Sequence, residues 1–254
     1  MAKKSLGQHW LNDEPTLKAI CAAAKLTGDD TVLEIGPGQG SLTKHLVAET
    51  KKVVAVEIDS ELASRLPGAP SLEVVEADIL AFDLNRLPSG YKVVANIPYY
   101  LTSNLIRILS ESANPPSLMV LLVQKEVAER IAAKPGQMSL LSVSVQLYYE
   151  VELGIVVPAR FFKPPPKVDS RVVILGRRDR PPFKDLDRQK FFRIVKAGFS
   201  GRRKKLRSSL AGGLGISKQQ ADDILKKANI FPDARAQELT LKQWCQIYQS
   251  VQQN

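Results

Sequence analysis

Gly36, Glu57, Asp78 and Asn96 each follow a short apolar run, at intervals of 21, 21 and 18 residues, about the stride of one strand–helix unit. Residues that end successive strands of an open parallel sheet meet along its carboxyl edge, where ligands bind. A glycine, two carboxylates and an amide on one edge therefore point to recognition of a polar ligand. In "LEIGPGQGSL", Gly36, Gly38 and Gly40 stand between a strand and a helix, where missing side chains let the backbone turn tightly and approach a ligand. An ordinary strand–helix turn accounts for one such glycine, not three. The G-x-G-x-G spacing also departs from the G-x-G-x-x-G fingerprint of dinucleotide-binding proteins. Glu57 is placed to accept from both hydroxyls of a ribose, and Asp78 from an adenine amino group. Taken singly, an acid after a second strand serves nicotinamide cofactors equally well, and a turn aspartate is commonplace.

The fourth position separates the cofactor classes. "ANIPYY" (95–100) ends a buried strand with an amide, then a proline and two aromatic rings. The exocyclic amine of adenine is a poor nucleophile because its lone pair is delocalised into the ring. Hydrogen bonds from that amine to the Asn96 side-chain oxygen and to a carbonyl held by Pro98 would favour the pyramidal nitrogen and stabilise charge developing on it. Tyr99 would stack on the base, and Tyr100 is expected to pack. An amide is no general base at neutral pH, so the rate must come from positioning against an electrophilic methyl sulfonium, with the proton lost afterwards. A nicotinamide enzyme has no use for this corner.

The elements that must position these residues follow from hydrophobic pattern. The runs "TVLEIG" (31–36), "KVVAVEID" (52–59), "LEVVEAD" (72–78), "YKVVANIP" (91–98) and "LMVLLVQ" (118–124) alternate with helix-like stretches. Continuous apolar strands separated by amphipathic segments describe a doubly wound α/β sheet covered on both faces. "VELGIVVP" (151–158) and "SRVVILGR" (170–177) are expected to pair antiparallel at one edge, and "SLLSVSVQLYY" (139–149) to be helical. After "RRDRPPF" (177–183) the pattern turns helical, with Ser217 and Thr240 as N-caps and Gly201 and Gly212-Gly213 as stops. Two domains are expected, residues 1–180 and a small helical domain over 181–254.

Composition excludes several classes. At 254 residues and 44% hydrophobic the chain is ordinary globular protein, and its longest aliphatic run, residues 118–123, is too short to span a membrane. "MAKKSLGQHW" has no apolar stretch of a secretory signal, so a cytoplasmic protein is expected. Cys21, Cys245, His9 and His45 match neither a disulfide framework nor a metal spacing. The window Arg177–Arg207 holds 13 basic and 3 acidic residues and accounts for the whole net charge of +10. Such a block points to a polyanion partner.

Together, "LEIGPGQGSLT", "VEID", "EADIL" and "NIPYY" resemble the S-adenosylmethionine-dependent adenine N6-methyltransferases of ribosomal RNA. "KKSLGQHWL" (3–11), "FFKPPPKVDSRVV" (161–173), "FSGRRKKLRSSL" (199–210) and "RAQELTLKQW" (235–244) are similar to segments of the small-subunit adenine N6,N6-dimethyltransferases, and the likeness runs nearly end to end. Trp10 stands where phenylalanine is commoner, and Ser208 where asparagine is usual. The resemblance implies a Rossmann-like methyltransferase domain with a C-terminal helical RNA-binding domain, and S-adenosylmethionine as cofactor. It implies that His9 and Leu11, next to Gln8, close over the cofactor. Gly36, with Gly38, would lie against the methionine part, Glu57 bind ribose and Asp78 bind adenine. Asn96 would contact both cofactor and target amine, with Tyr99 and Phe162 sandwiching the target base. The implied reaction dimethylates two adjacent adenines in a hairpin near the 3′ end of small-subunit rRNA, within a pre-ribosomal particle and by a monomer. Arg202, Arg203, Lys204, Lys205 and Arg207, read as a helix after Phe199, would pair with RNA phosphates. A large-subunit rRNA methyltransferase of the antibiotic-resistance type shares the Asn-Ile-Pro-Tyr corner and is the alternative, disfavoured by "PPPKVDS" and "RAQELT". A non-enzymatic nucleic-acid-binding factor would not need the cofactor constellation.

Overall fold

The structure, a computed structural model, describes residues 8–179, 186–201 and 203–253. The residue Arg202, the segment before Gln8 and most of the linker after Arg178 lie outside the described residues. The chain divides into two compact units, Met1–Glu129 with Tyr149–Arg177, and Arg130–Tyr148 with Arg178–Asn254. Residues 130–148 thus group with the C-terminal segment, whereas a boundary at 180/181 leaves them with the first domain. The physical reason is packing: Met138, Val143 and Leu147 belong to the apolar cluster built around Trp244.

In the first unit the strands are β1 (Trp10–Leu11), β2 (Thr31–Ile35), β3 (Lys52–Glu57), β4 (Leu72–Glu76), β5 (Lys92–Asn96), β6 (Leu118–Gln124), β7 (Tyr149–Val157), β8 (Phe162–Lys163) and β9 (Ser170–Arg177). The helices are α1 (Glu14–Ala23), α2 (Thr43–Glu49), α3 (Ser60–Ala63) and α4 (Thr102–Glu111), followed by α5 (Lys125–Ile131), within which the chain passes from the first unit to the second after Glu129. Seven strands form one sheet in the order β4-β3-β2-β5-β6-β9-β7. The pairs from β4 to β6 are parallel, and β9 pairs antiparallel with both β6 and β7, as the two late runs predict. Val32, Leu33, Val93, Val94 and the run Met119–Val123 are fully buried, which explains why these runs are apolar at successive positions and do not alternate. Strand order reverses between β2 and β5, and the crevice at such a switch point is where ligands bind. β1 and β8 form a separate antiparallel pair, Leu11 opposite Phe162.

The second unit packs α6 (Leu140–Gln146), α7 (Arg188–Phe199), α8 (Leu206–Leu214), α9 (Lys218–Lys227) and α10 (Leu241–Gln252) around the fully buried Trp244. Ser217 and Thr240 are N-caps with reciprocal capping boxes, as expected. Two expectations are corrected here. Arg203, Lys204 and Lys205 stand in the turn between α7 and α8, because α7 ends at Phe199, and only Arg207 is helical. Gly212-Gly213 do not stop α8; it ends at Leu214, capped by Gly215, whose φ of +72° is the left-handed conformation that glycine favours.

Gly213 serves a different purpose, the close approach of α7. A Cβ at this position would lie 2.5 Å from that of Ala197, while one at Gly212 would meet nothing within 4 Å. Alanine gains about 1 kcal/mol over glycine in a helix interior, and overpacking costs about 1–3 kcal/mol. Gly212→Ala is therefore expected to raise unfolding free energy by about 0.5–1 kcal/mol, and Gly213→Ala to lower it by about 1–2 kcal/mol. Urea unfolding of the two variants checks this, and equal shifts of one sign would refute the assigned contact.

Candidate functional site

A cavity of about 200 Å³ opens at the carboxyl ends of β2, β3, β4 and β5. Gly36, Gly38, Glu57, Asp78 and Asn96 line it, as the interval argument predicts. Gln8, His9, Pro98 and Tyr99 line it as well.

Backbone geometry sets the first wall. Gly36 and Gly38 adopt φ of +65° and +58°, conformations that glycine reaches without strain. The Gly36 N–H donates to the Val56 carbonyl (2.9 Å), continuing the β2–β3 ladder into the loop. The Gly38 N–H donates to Glu57 Oε2 (3.1 Å), and the Asp59 N–H to Oε1 (3.0 Å). Glu57, only 4% exposed, is thus held by one backbone donor on each oxygen, and the remaining lone pairs can accept from a vicinal diol. Asp78 is a turn aspartate and also part of the cavity lining. Its Oδ1 accepts from the Leu80 N–H (2.9 Å) and closes a turn, while the residue faces the cavity.

The second wall ties the corner to the N-terminal segment. Asn96 Nδ2 donates to the His9 carbonyl (3.0 Å), which leaves Oδ1 as the acceptor. His9 Nδ1 donates to the Pro164 carbonyl (2.7 Å), and the His9 ring stacks on Tyr99 at 5.9 Å and 24°. Tyr99 is further fixed by a 2.8 Å hydrogen bond between its hydroxyl and Ser170 Oγ. Burial raises its pKa, and the charge of Asp169 adds to this against the opposing Ser170 bond, so the phenol stays protonated at neutral pH. Trp10 covers the glycine loop, and a Cβ on Gly38 would come within 3.1 Å of its indole.

Three side chains are not placed as expected. Leu11 and Phe162 are 4% and 3% exposed, belong to an apolar core cluster and are not among the residues that line the cavity. Pairing across β1 and β8 draws both side chains inward. Tyr100, expected to pack, is instead 62% exposed at the cavity. Sequence reasoning also missed Ile58 and Leu80, exposed aliphatic side chains on the cavity wall suited to cover the faces of a flat ring. Their signal was position, each lying within two residues of a strand-end acid. It missed Glu34 too, buried on β2 two residues before Gly36. Burial, reinforced by the charge of Glu57 and opposed by the Thr43 hydroxyl, pushes its pKa up to about 8.

Arg203, Lys204 and Lys205 are exposed on the α7–α8 turn of the second unit. Lys205 pairs with Asp233 at 2.8 Å and Arg207 with Asp222 at 3.5 Å. Among the described residues, no helix is long and apolar enough to cross a membrane.

A sequence profile of the ribosomal RNA adenine dimethylase family matches residues 1–253. A ribosomal RNA small subunit methyltransferase A of Dehalococcoides mccartyi is 40% identical, over 97% of this chain and 88% of that protein. The crystal structure of a dimethyladenosine transferase from Plasmodium falciparum superposes with a TM-score of 0.81 at 28% identity, covering 94% of this chain and 96% of that one. The crystal structure of the 23S rRNA methyltransferase ErmE superposes with a TM-score of 0.77 at 30% identity, covering 96% and 99%.

Proposed function

Because the chain belongs to the ribosomal RNA adenine dimethylase family, we propose that it transfers methyl groups to N6 of two adjacent adenines of small-subunit ribosomal RNA. The target is a hairpin near the 3′ end, reached in the cytoplasm within an assembling particle by a monomeric enzyme. The observation that carries this reading is Asn96, whose Nδ2 is committed to the His9 carbonyl and whose Oδ1 is left to accept from a substrate amine in the cavity.

The residues present fit S-adenosylmethionine. Glu57 would hold the ribose hydroxyls with an already oriented carboxylate, Asp78 the adenine amino group, and the cavity-lining backbone at Gly36 and Gly38 the methionine part. When bound, this cofactor supplies an electrophilic methyl group. The protein's own part is positioning: Asn96 Oδ1 and the carbonyl held by Pro98 accept hydrogen bonds from the amine N–H groups, and the Tyr99 ring, fixed by Ser170 and His9, orients the base. An amide takes no proton at neutral pH, so the proton leaves to solvent after transfer. Looped adenines suit such a site because they leave the stack at little cost.

The small-subunit reading is favoured over the large-subunit one by the 40% identical relative, against 30% for ErmE. Incubating purified protein and S-adenosylmethionine with unmethylated small subunits or with large subunits, followed by mass spectrometry of the nucleosides, tests it. Dimethyladenosine is expected in small-subunit RNA alone. Product confined to the large subunit, or none in either, would overturn it.

A further inference from the structure

Phe231 is 74% exposed, more than any other large apolar side chain among the described residues, and it belongs to the second unit and is not among the residues that line the methyl-transfer cavity. The backbone builds this exposure in. At the end of α9, Asn229 turns left-handed with φ of +55°. The Asn229 N–H returns to the Lys226 carbonyl (2.9 Å) and the Ile230 N–H to the Leu225 carbonyl (2.9 Å). This paired closure of a helix end seats Ile230 in the core at 4% exposed. With residue 230 turned inward and Pro232 restricting the chain just after it, the intervening ring is held outward.

The same segment is stitched to the basic turn. The Ala234 N–H donates to the Phe231 carbonyl (3.0 Å), and the Leu206 N–H donates to the Ala234 carbonyl (2.8 Å). Lys205, immediately before Leu206, pairs with Asp233 at 2.8 Å. Lys204, Lys205, Lys226, Lys227 and Arg235 are all exposed around this junction, and the acid within the segment, Asp233, is matched by Lys205.

We propose that Phe231 is a stacking platform for an unpaired nucleobase of the RNA substrate, with the surrounding lysines and arginine on the adjoining phosphates. This rests on the reading that the substrate is RNA. A protein-docking anchor is normally ringed by apolar neighbours that exclude water. Phe231 is an exposed ring in a segment flanked by exposed Lys226, Lys227 and Arg235, which is the composition of a single-strand platform, since every base offers a π-face and every linkage a charge.

The test uses full-length protein and a fluorescein-labelled ten-nucleotide polyadenylate, with a duplex RNA of equal length as control, read by fluorescence anisotropy. Phe231→Ala and Phe231→Leu are each expected to weaken single-strand binding about five- to tenfold, and Phe231→Trp to retain it. The salt dependence of log affinity should keep its slope in Phe231→Ala and lose about one unit in Lys204→Ala, which removes a phosphate contact. Unchanged binding by Phe231→Ala overturns the platform, as does wild-type binding by Phe231→Leu, which would mean that apolar area suffices. Loss of association with RNA-free small-subunit proteins, without loss on RNA, also overturns it and makes the ring a protein contact. Wild-type protein that methylates small-subunit RNA while Phe231→Ala binds normally defeats this inference alone. Wild-type protein that responds to Phe231 substitution but methylates nothing defeats the proposed reaction alone.

Discussion

Asn96→Ala is expected to slow methyl transfer to small-subunit RNA at least about 100-fold, with RNA affinity kept within about twofold because the basic side chains are untouched. The amide has two tasks that alanine cannot perform. In the proposed mechanism its Oδ1 accepts from the reacting amine, an interaction that would strengthen as positive charge develops on nitrogen; loss of one comparably preorganised group elsewhere costs about 10²–10³ in rate. Its Nδ2 holds the His9 carbonyl at 3.0 Å, and His9 in turn stacks on Tyr99. Asn96→Asp separates the two. It keeps an acceptor but sets a carboxylate oxygen against the His9 carbonyl, so weakened cofactor binding should accompany its slower transfer. Single-turnover rates and calorimetric cofactor affinity, measured on both variants, decide the assignment. An Asn96→Ala enzyme within about threefold of wild type at saturating substrate would remove Asn96 from the reaction.

Why some of this could be read from sequence and some could not follows from where the forces act. Continuous apolar runs such as Val53–Val56 and Met119–Val123 are dictated by burial on both sheet faces, so strand positions and their carboxyl ends were legible. The constellation Gly36, Glu57, Asp78 and Asn96 is a consequence of those ends and was legible with them. Side-chain direction beyond a strand end depends on tertiary pairing. That is why Phe162, drawn inward opposite Leu11, and Tyr100, turned outward after Pro98, exchanged their expected places. Gly213 carries the same lesson. A glycine pair in sequence reads as a helix stop, and only the proximity of Ala197 reveals it as a contact surface. Likewise, residues 130–148 have no compositional break to mark their membership of the helical unit, which is decided by where Met138, Val143 and Leu147 find apolar partners.

Glu34 carries the second large expected effect. Its carboxyl is 1% exposed in the middle of the parallel sheet, and its pKa rises from 4.5 to about 8, which corresponds to about 5 kcal/mol. Between those two values the native protein holds a proton that the unfolded chain has released, so this group makes stability fall as pH rises through the window. Below pH 4.5 both states are protonated and the group costs nothing; above 8 both are ionised and the full cost remains. Glutamine has nearly the same shape and no charge at any pH. Glu34→Gln should therefore match wild type near pH 5 and exceed it by roughly 3–5 kcal/mol near pH 9. The charge on Glu34 would also oppose that on Glu57, whose two oxygens receive the Gly38 and Asp59 N–H groups, so cofactor affinity should decline with rising pH in wild type more than in the variant. Urea unfolding at pH 5, 7 and 9, with calorimetric cofactor titrations at the same pH values, measures both effects. Stability curves for the two proteins that stay parallel across this range would mean that Glu34 remains ionised within the fold, and would leave the glycine loop resting on a charged strand.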